Sequence, residues 1–415
     1  MSHMVAFIDV HKKVLAVVTG DAAQEGEVHL LRRKFGTGEG DLELLAIFLT
    51  EFEVQEVCME STAQYWKPVW AKLEERKFHL ELAQAQSNLG PKGRKSDFRD
   101  AERGWRRYIA DELILSFVPD PEQRIWRTQS RTRLRLMRDK VRLQNRLEAL
   151  LEEMRIKLSA VVSDLLGVSA RRMLRAIGQG ETDPEKLADM ADPNLGANKA
   201  QLVEALHGVK HLDGRYRAIL TQWFEQLDLM ERHSAELKEG LAGSLKPHSE
   251  QVERVAEIPG LGVDSAQQII AELGPLAEKF ATAAEMASWV GVCPGENQSA
   301  GQNSSDHCAK GNMYMRRILD QAANAAVKAK GTVFEKRYQR MVGRDPKKRG
   351  KAIWAVAHHI LRVVWKVLHD GVRYEERGNR QDAKADKRRA TRLLRELKAL
   401  GYTVNAKPSA SPASA

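Results

Sequence analysis

The segment Val5-Ala-Phe-Ile-Asp9-Val10 places one acid inside an apolar run near the start of the chain. A second run, Val54-Gln-Glu-Val-Cys-Met-Glu60, is largely apolar and also ends on an acid. Both runs have the length and composition of β-strands. A carboxylate at the end of a buried strand costs free energy unless it binds a cation or a proton. The two acids therefore predict a cation site where these strands end.

A pair of acids follows in the segment Lys95-Ser-Asp97-Phe-Arg-Asp100-Ala101. The i, i+3 spacing places Asp97 and Asp100 on one side of a helix. Together with Asp9 and Glu60 they could converge on Mg²⁺, which prefers oxygen ligands and supports two-metal phosphoryl chemistry. Each acid also has a plainer interpretation: an edge or turn residue, a strand end before a helix cap, or a solvated helix face.

The order of elements around these acids predicts an α/β domain. We expect strands at residues 4–19, 28–35, 54–60 and 78–83, a turn at Gly20-Asp21, and helices at 41–52 and 65–76. Two strands followed by alternating helices and strands fit a ribonuclease-H-like sheet with flanking helices.

The next segment is strongly basic and helical. Nine Lys or Arg residues between Arg124 and Arg146 accompany a single acid, Asp139, and leucines and methionines recur at helical spacing. A second long helix is expected from Lys199 to Leu241, which predicts an antiparallel, coiled-coil-like hairpin. The one-signed charge favours contact with nucleic-acid phosphates over a merely solvated face. The candidate contacts are Arg131, Arg135 and Arg142.

A glycine-rich turn, Ile258-Pro-Gly260-Leu-Gly262, precedes an apolar helix expected at 266–273. Glycines allow close approach of the backbone, and a helix N-terminus offers free N–H groups to a phosphate. We interpret this as a helix-hairpin-helix-type turn in which Gly260 and Gly262 contact phosphate. The plainer alternative is a turn that only orients two helices.

Ser299 lies in a glycine-flanked segment that precedes the cations Lys310, Arg316 and Arg317. A serine hydroxyl needs activation to act as a nucleophile, and nearby cations could hold the oxygens of a phosphodiester. From the residues alone, a serine in such a loop is more often a turn former.

These motifs together resemble the DEDD-type insertion-sequence transposases. The resemblance rests on Ile8-Asp-Val-His-Lys-Lys13, Met59-Glu-Ser-Thr62 and Lys95-Ser-Asp97 with Asp100-Ala101 in the N-terminal part. In the C-terminal part, Pro294 and Gln298-Ser299 match a Pro-x-x-x-Gln-Ser-Gly motif, and 310–317 match Lys-Gly-Asn-x-x-x-Arg-Arg. One departure is Ala300, which separates Ser299 from Gly301 and makes Ser304 or Ser305 a possible substitute.

The resemblance implies a RuvC-like catalytic domain, a serine nucleophile and Mg²⁺ held by the four acids. It also implies DNA as donor and target, a structured guide (bridge) RNA that selects both by base pairing, and a homo-oligomer, a dimer or tetramer. In that assembly one protomer supplies the acids and another the serine.

The fold expected is α/β plus all-α: a RuvC-like domain at 1–123, a helical coiled-coil-like domain at 124–250, a helical domain with the serine at 251–372 and a basic, partly disordered tail at 373–415. Two other functions stay open. A metal-dependent nuclease of the Holliday-junction-resolvase type would use the same acids to activate water, and a nucleic-acid-binding scaffold would need no chemistry.

Composition agrees with a nucleic-acid partner. The 415 residues include 66 Lys plus Arg against 56 Asp plus Glu, a net charge of +10. Such an excess suits a polyanion. Three cysteines without metal-ligand spacing, no secretory signal and no long apolar stretch predict a reduced, cytoplasmic setting with no membrane partner. The resemblance implies that this is a prokaryotic cytoplasm, near the nucleoid.

Overall fold

A computed structural model describes residues 2–24, 29–88, 96–293, 298–299, 302–303, 308, 310–343, 345–376, 391–392 and 394–399, with the backbone alone at 298–299 and 302–303. The chain divides into two compact units, Met1–Asp120 and Pro121–Ala415. Each unit is built around its own apolar clusters.

The first unit is a five-stranded sheet between helices. Its elements are β1 (Met4–Val10), β2 (Leu15–Asp21), β3 (Leu31–Phe35), α1 (Glu39–Glu51), β4 (Glu56–Glu60), α2 (Trp66–Glu75), β5 (His79–Ala83) and α3 (Asp97–Ile109). The strand order is β3-β2-β1-β4-β5, antiparallel among the first three strands and parallel from β1 through β4 to β5. The sheet therefore has β1 at its centre, which explains why five of its seven residues are fully buried hydrophobics.

Helix α3 packs closely against β1. Trp105 is buried, and its indole N–H donates to the carbonyl of Val5 at 2.9 Å. Gly104 faces the ring of Phe7, and a Cβ at this position would lie 2.2 Å from a ring carbon. Only glycine permits this approach. The contact sets the distance between the start of α3 and the end of β1.

The second unit is helical apart from a short hairpin. Its elements are α4 (Pro121–Glu153), α5 (Val168–Gly178), α6 (Pro184–Asp189), α7 (Lys199–Ala205), α8 (Gly214–Ser244), α9 (Ser249–Ala256), α10 (Val263–Leu273), α11 (Ala283–Val290), β6 (Gln298–Ser299), β7 (Gln302–Asn303), α12 (Met313–Ala326), α13 (Val333–Val342) and α14 (Arg349–His369). One apolar cluster joins α4, α5 and α8, and another joins α9 to α14. Among the described helices, none combines the length and apolar content needed to cross a membrane.

The α/β first part and the helical remainder confirm the coarse fold class, α/β plus helical, while three predicted elements were wrong. Residues 4–19 are a hairpin rather than one strand, closed where the His11 amide donates to the Val14 carbonyl at 3.0 Å. The predicted turn at Gly20-Asp21 is accordingly the end of β2.

The helix predicted from Lys199 to Leu241 is interrupted by a 3-10 turn at His207–His211. Gly208 packs against the main chain after α4, where a Cβ would lie 2.5 Å from the Arg155 carbonyl oxygen. Asp213 then caps α8 by accepting from the Arg215 amide. The predicted division into four domains stays a prediction.

We expect Gly104→Ala to destabilise the chain, because the added methyl group must displace the buried Phe7 ring. Overpacking of this kind costs about 1–3 kcal/mol. The measurement is the urea midpoint of unfolding, monitored by tryptophan fluorescence. Gly40→Ala is the matched control, since no atom lies within 4 Å of a Cβ there. Equal midpoints for both variants would contradict the packing argument.

Candidate active site

Neighbouring elements of the first unit bring the four predicted acids to one end of the sheet. Strands β1 and β4 are parallel, and Ile8 pairs with Met59. Asp9 and Glu60 therefore follow side by side at the carboxyl ends of adjacent strands. Asp97 and Asp100 lie in the first turn of α3, the helix that packs on β1.

Asp9 is a buried carboxylate, with only 4% of the residue exposed. Burial raises its pKa to about 6. The neighbouring His11 opposes this shift, with its Nε2 3.1 Å from Asp9 Oδ2, whereas the charges of Glu60 and Asp100 add to it. Two of the other three acids therefore raise the pKa of Asp9, as is expected of carboxylates that lie close together.

Each of the other acids has its own partner. Lys34 Nζ lies 2.6 Å from Asp97 Oδ2 and lowers the pKa of that carboxyl, and Arg103 lies 2.8 Å from Asp100 Oδ1. Glu60 accepts from the hydroxyl of Thr62 at 3.2 Å and from the amide of the buried Asn88 at 2.9 Å. His11 also faces Asp97 at 3.9 Å.

The donor set suits a hard divalent cation, since all four predicted ligands offer carboxylate oxygens. Within the part of the chain that the structure describes, however, no three Asp, Glu, His or Cys side chains stand ready to hold an ion. Three of the acids are instead in contact with basic side chains: Asp9 with His11, Asp97 with Lys34 and Asp100 with Arg103. Convergence on metal would require the acids to exchange these cations for the ion.

The predicted nucleophile belongs to the second unit. Ser299 ends β6 and its backbone pairs with Gln302 of β7, while Gln298 pairs with Asn303. The matching Pro294, the inserted Ala300 and the alternatives Ser304 and Ser305 lie outside the described residues. The choice among the three serines stays a prediction.

The chain that follows the hairpin is held by α11. The Asn312 amide donates to the Trp289 carbonyl at 3.2 Å. Gly311 is pressed against the end of α11, where a Cβ would lie 2.3 Å from the Val290 carbonyl oxygen. The Asn312 side chain also caps α12 by accepting from the amides of Tyr314 and Met315. The Lys-Gly-Asn motif is thus explained in part by local packing.

A fully buried acid, Glu272, joins this motif to two other helices. Arg131 of α4 binds both of its carboxylate oxygens at 2.8 Å, and Asn312 donates to one of them at 2.8 Å. Arg127 lies 3.6 Å from the same carboxylate and donates to the Glu272 carbonyl. The Arg131 guanidinium also stacks over Tyr314 at 4.4 Å. Glu272 therefore fixes α4, α10 and the start of α12 together.

The cations after the hairpin have different surroundings. Lys310 is exposed. Arg316 donates to the Gly291 carbonyl and lies 4.4 Å above the ring of Trp354. Arg317 is half-buried, and its pKa is lowered by burial and then by the charges of Arg138 and Arg133. A group of arginines this close favours an anion among them.

The basic helix α4 divides its cations between internal partners and solvent. Arg131 is committed to Glu272, and Arg133 pairs with Asp264. Arg135 and Arg138 are exposed, and no ion pair found among the described residues includes either one. Arg142 is 71% exposed and contacts only its helix neighbour Asp139 among the ion pairs of the described chain. Phosphate contact by Arg131, Arg135 and Arg142 stays a prediction. The exposed Arg135 and Arg142 suit it better than Arg131, which already binds Glu272.

The glycine turn has a structural role at one of its two positions. Gly260 has φ +91°, and a Cβ there would lie 2.2 Å from the Ala322 carbonyl oxygen of α12. Gly262 caps α10 and has open space around it. Helix packing explains Gly260, and phosphate contact by either glycine stays a prediction.

Sequence reasoning missed His11, Lys34, Asn88 and Glu272. His11 follows Asp9 by two residues, so a shared strand face was a usable signal. Glu272 was also detectable, because it is the one acid of the helix predicted at 266–273 and lies beside Ile269, Ile270 and Leu273. Lys34 and Asn88 are contacts of the tertiary fold and have no local signal.

Two family models match parts of this chain, one over the four acids and one over the segment that carries Ser299. Residues 7–156 match a family model for DEDD transposases of the IS110 type, described as a transposase. Residues 252–339 match the model described as the transposase IS116/IS110/IS902 family. The first match contains all four acids, and the second contains Glu272, Ser299 and the Lys310–Arg317 motif.

Two curated proteins are similar in sequence. A probable family 20 transposase from Pseudomonas aeruginosa is 24% identical over 281 residues, covering 67% of this chain and 73% of that protein. A putative transposase y4pF/y4sB from Sinorhizobium fredii is 27% identical over 249 residues, covering 59% of this chain and 54% of that protein. The chain thus spans about half the length of the second relative.

We expect Glu272→Gln to unfold the second unit at lower denaturant concentration. The substitution keeps the shape but removes the anion that the half-buried Arg131 guanidinium binds with two hydrogen bonds. Removing one partner of a buried ion pair costs about 3–5 kcal/mol. The check is the free energy of unfolding from urea titration. Glu278→Gln, the same change at an exposed position nearby, should leave it within about 0.5 kcal/mol.

Proposed function

Because the chain belongs to the DEDD-type insertion-sequence transposases, we propose that it cuts and rejoins DNA through a covalent serine–phosphate intermediate. The observation that supports this most is the cluster at the end of the central strands. There a buried Asp9 lies beside Glu60 and the two acids of α3, within the part of the chain that matches the DEDD model.

In this proposal Asp9, Glu60, Asp97 and Asp100 hold Mg²⁺. A metal held there would supply positive charge to the phosphate oxygens and polarise the phosphorus for attack. The chain's own residues prepare the site. Strands β1 and β4 fix two acids at adjacent ends and α3 carries the other two, while His11, Lys34 and Arg103 contact Asp9, Asp97 and Asp100 and orient their carboxylates.

The proposed nucleophile is the Ser299 hydroxyl. Its oxygen attacks a DNA phosphorus, a bond from serine to phosphorus forms, and the bond from phosphorus to one sugar oxygen breaks. The proton lost from serine balances the one that the departing sugar oxygen gains as it becomes a hydroxyl. The Lys310 ammonium and the Arg317 guanidinium would hold the non-bridging oxygens. A covalent link preserves the energy of the phosphodiester, so a second sugar hydroxyl can displace serine and rejoin the strand.

The partners proposed are donor and target DNA and a structured guide RNA that selects both. A homo-oligomer, a dimer or tetramer, would place the acids of one protomer against the serine of another. The positive charge of the chain and the exposed arginines of α4 support a polyanionic partner.

The first test separates the acids from the serine. We expect purified protein, with Mg²⁺, its guide RNA and DNA carrying the ends of its own element, to form a protein–DNA adduct on denaturing gels. Ser299→Ala should abolish the adduct while folding is retained. If Ser304→Ala or Ser305→Ala abolishes it instead, Ala300 has moved the nucleophile. Cleavage that survives in all three serine variants and fails only in Asp100→Asn would establish a water-activating nuclease.

Metal binding has a readout that needs no DNA. Mg²⁺ should raise the melting temperature of the wild-type chain, because a ligand that binds only the folded state stabilises it. Asp9→Asn should lose this increase. Asp111→Asn is the matched control in the same unit, because Asp111 is exposed and is not one of the four predicted ligands. An unchanged increase in Asp9→Asn would remove Asp9 from the metal site.

The basic helix has a separate test. Arg135, Arg138 and Arg142 follow at helical spacing on α4, so they share one face. Replacing all three with Gln should lower the slope of log affinity against log salt by about 1 for each lost phosphate contact. Filter binding to RNA or DNA at several salt concentrations measures the slope.

The control removes the same charge from another helix of the same unit. Arg215, Arg232 and Lys238 are exposed on α8, where acids alternate with bases. Their replacement with Gln should leave the slope near the wild-type value. Equal slopes for the two triple variants would show that net charge, and not the face of α4, determines binding.

A further inference from the structure

The segment that carries Ser299 runs from Trp289 to Asn312, and backbone contacts close it at its base and at its tip. At its tip, Gln298 pairs with Asn303 and Ser299 pairs with Gln302. At its base, the Asn312 amide donates to the Trp289 carbonyl at 3.2 Å. Two arms of chain therefore run between the base and the tip, one before the serine and one after it.

The two closures share a single register. Trp289 lies nine residues before Gln298, and Asn312 lies nine residues after Asn303. Val290 and Gly311, which pack against each other, are each one residue nearer to the tip. Cys293 and Cys308 fall in the same register as these described pairs. Each is five residues from the paired residues at the tip, and four residues from Trp289 or Asn312 at the base.

We propose that Cys293 and Cys308 form a reversible disulfide that ties together the two arms of the segment carrying Ser299. Directly opposed residues of antiparallel arms have Cα atoms about 4.5–5.5 Å apart. A disulfide needs about 4.4–6.8 Å. The register that the described contacts define therefore matches the geometry of the bond.

The surroundings of the two thiols agree with this pairing. Both are free and half-buried, whereas the third cysteine, Cys58, is fully buried in the first unit. The pKa of Cys293 is raised first by burial and second by the charge of Cys308. An electrostatic effect of one thiol on the other requires that they lie near each other.

The oxidant is a peroxide. The thiolate of the first cysteine attacks one peroxide oxygen, which gives a sulfenic acid and releases water after protonation. The second thiol then displaces the sulfenic oxygen as a second water and forms the sulfur–sulfur bond. One hydrogen peroxide and two thiols thus yield one disulfide and two waters, and a dithiol reductant reverses the change.

The disulfide does not depend on the role of Ser299, but its consequence for strand exchange rests on the proposed function. A bond across the arms would fix how far the serine hairpin extends from α11 and α12. Under reducing conditions this bond would be absent, and the described backbone contacts at base and tip would remain.

Peptide mapping tests the bond without any DNA chemistry. Trypsin releases residues 280–310 as one peptide, since no Lys or Arg lies between Lys279 and Lys310. After treatment of the folded, full-length chain with hydrogen peroxide, this peptide should lose the mass of two hydrogens and resist alkylation. Cleavage after Glu296 should then leave two fragments joined until dithiothreitol is added. Cys58 should alkylate only after unfolding.

Hydrogen exchange supplies a second, independent measurement. Oxidation should slow exchange of amides in peptides spanning 294–307 in the wild-type chain, and should leave it unchanged in Cys308→Ser and in Cys293→Ser. Sulfinic acid on either cysteine, or bonds between chains in place of the internal one, would overturn the proposal. These readouts keep their meaning even if Ser299→Ala retains its DNA adduct, so the two proposals fail separately.

Discussion

A buried carboxylate must find partners, and in the second unit one such carboxylate organises the fold. Glu272 has no exposed surface, yet three side chains from two other segments direct donors or positive charge at it. Its desolvation would be prohibitive without Arg131 and Asn312. The same bonds orient the long helix α4 and the start of α12. The chain immediately after the candidate serine thus takes its position from an ion pair in the core.

The acids of the first unit show the opposite solution to the same constraint. Asp9 is buried beside other carboxylates, and its main partner is the half-exposed His11. Lys34, which pairs with Asp97, is exposed, so solvent screens that ion pair, whereas Arg103, which pairs with Asp100, is half-buried. Carboxylates gathered in this way add little stability to a core. The two groups of carboxylates therefore differ as we expect a structural centre to differ from the proposed metal site.

Local patterns in the sequence predicted much of this. The apolar runs that contain Asp9 and Glu60 have the length and composition of strands, and Asp97 and Asp100 have helical spacing. Both the elements and the acids could therefore be located from the sequence. The interruption at Gly208 and the pairing of Arg131 could not be. The first depends on contact with the end of α4, and the second joins residues 141 positions apart. Counting charge also could not distinguish an arginine that faces solvent from one that a distant acid has already bound.

The backbone bond between Trp289 and Asn312 has a consequence for how this protein can change over generations. It closes the segment between α11 and α12 at its base, so both helices keep their positions whatever lies between them. Insertions and deletions in that segment need not propagate into the helical core. The Ala300 that stands between Ser299 and Gly301 lies within this segment. A change of length there would alter the reach of the candidate serine and leave in place the scaffold that presents it.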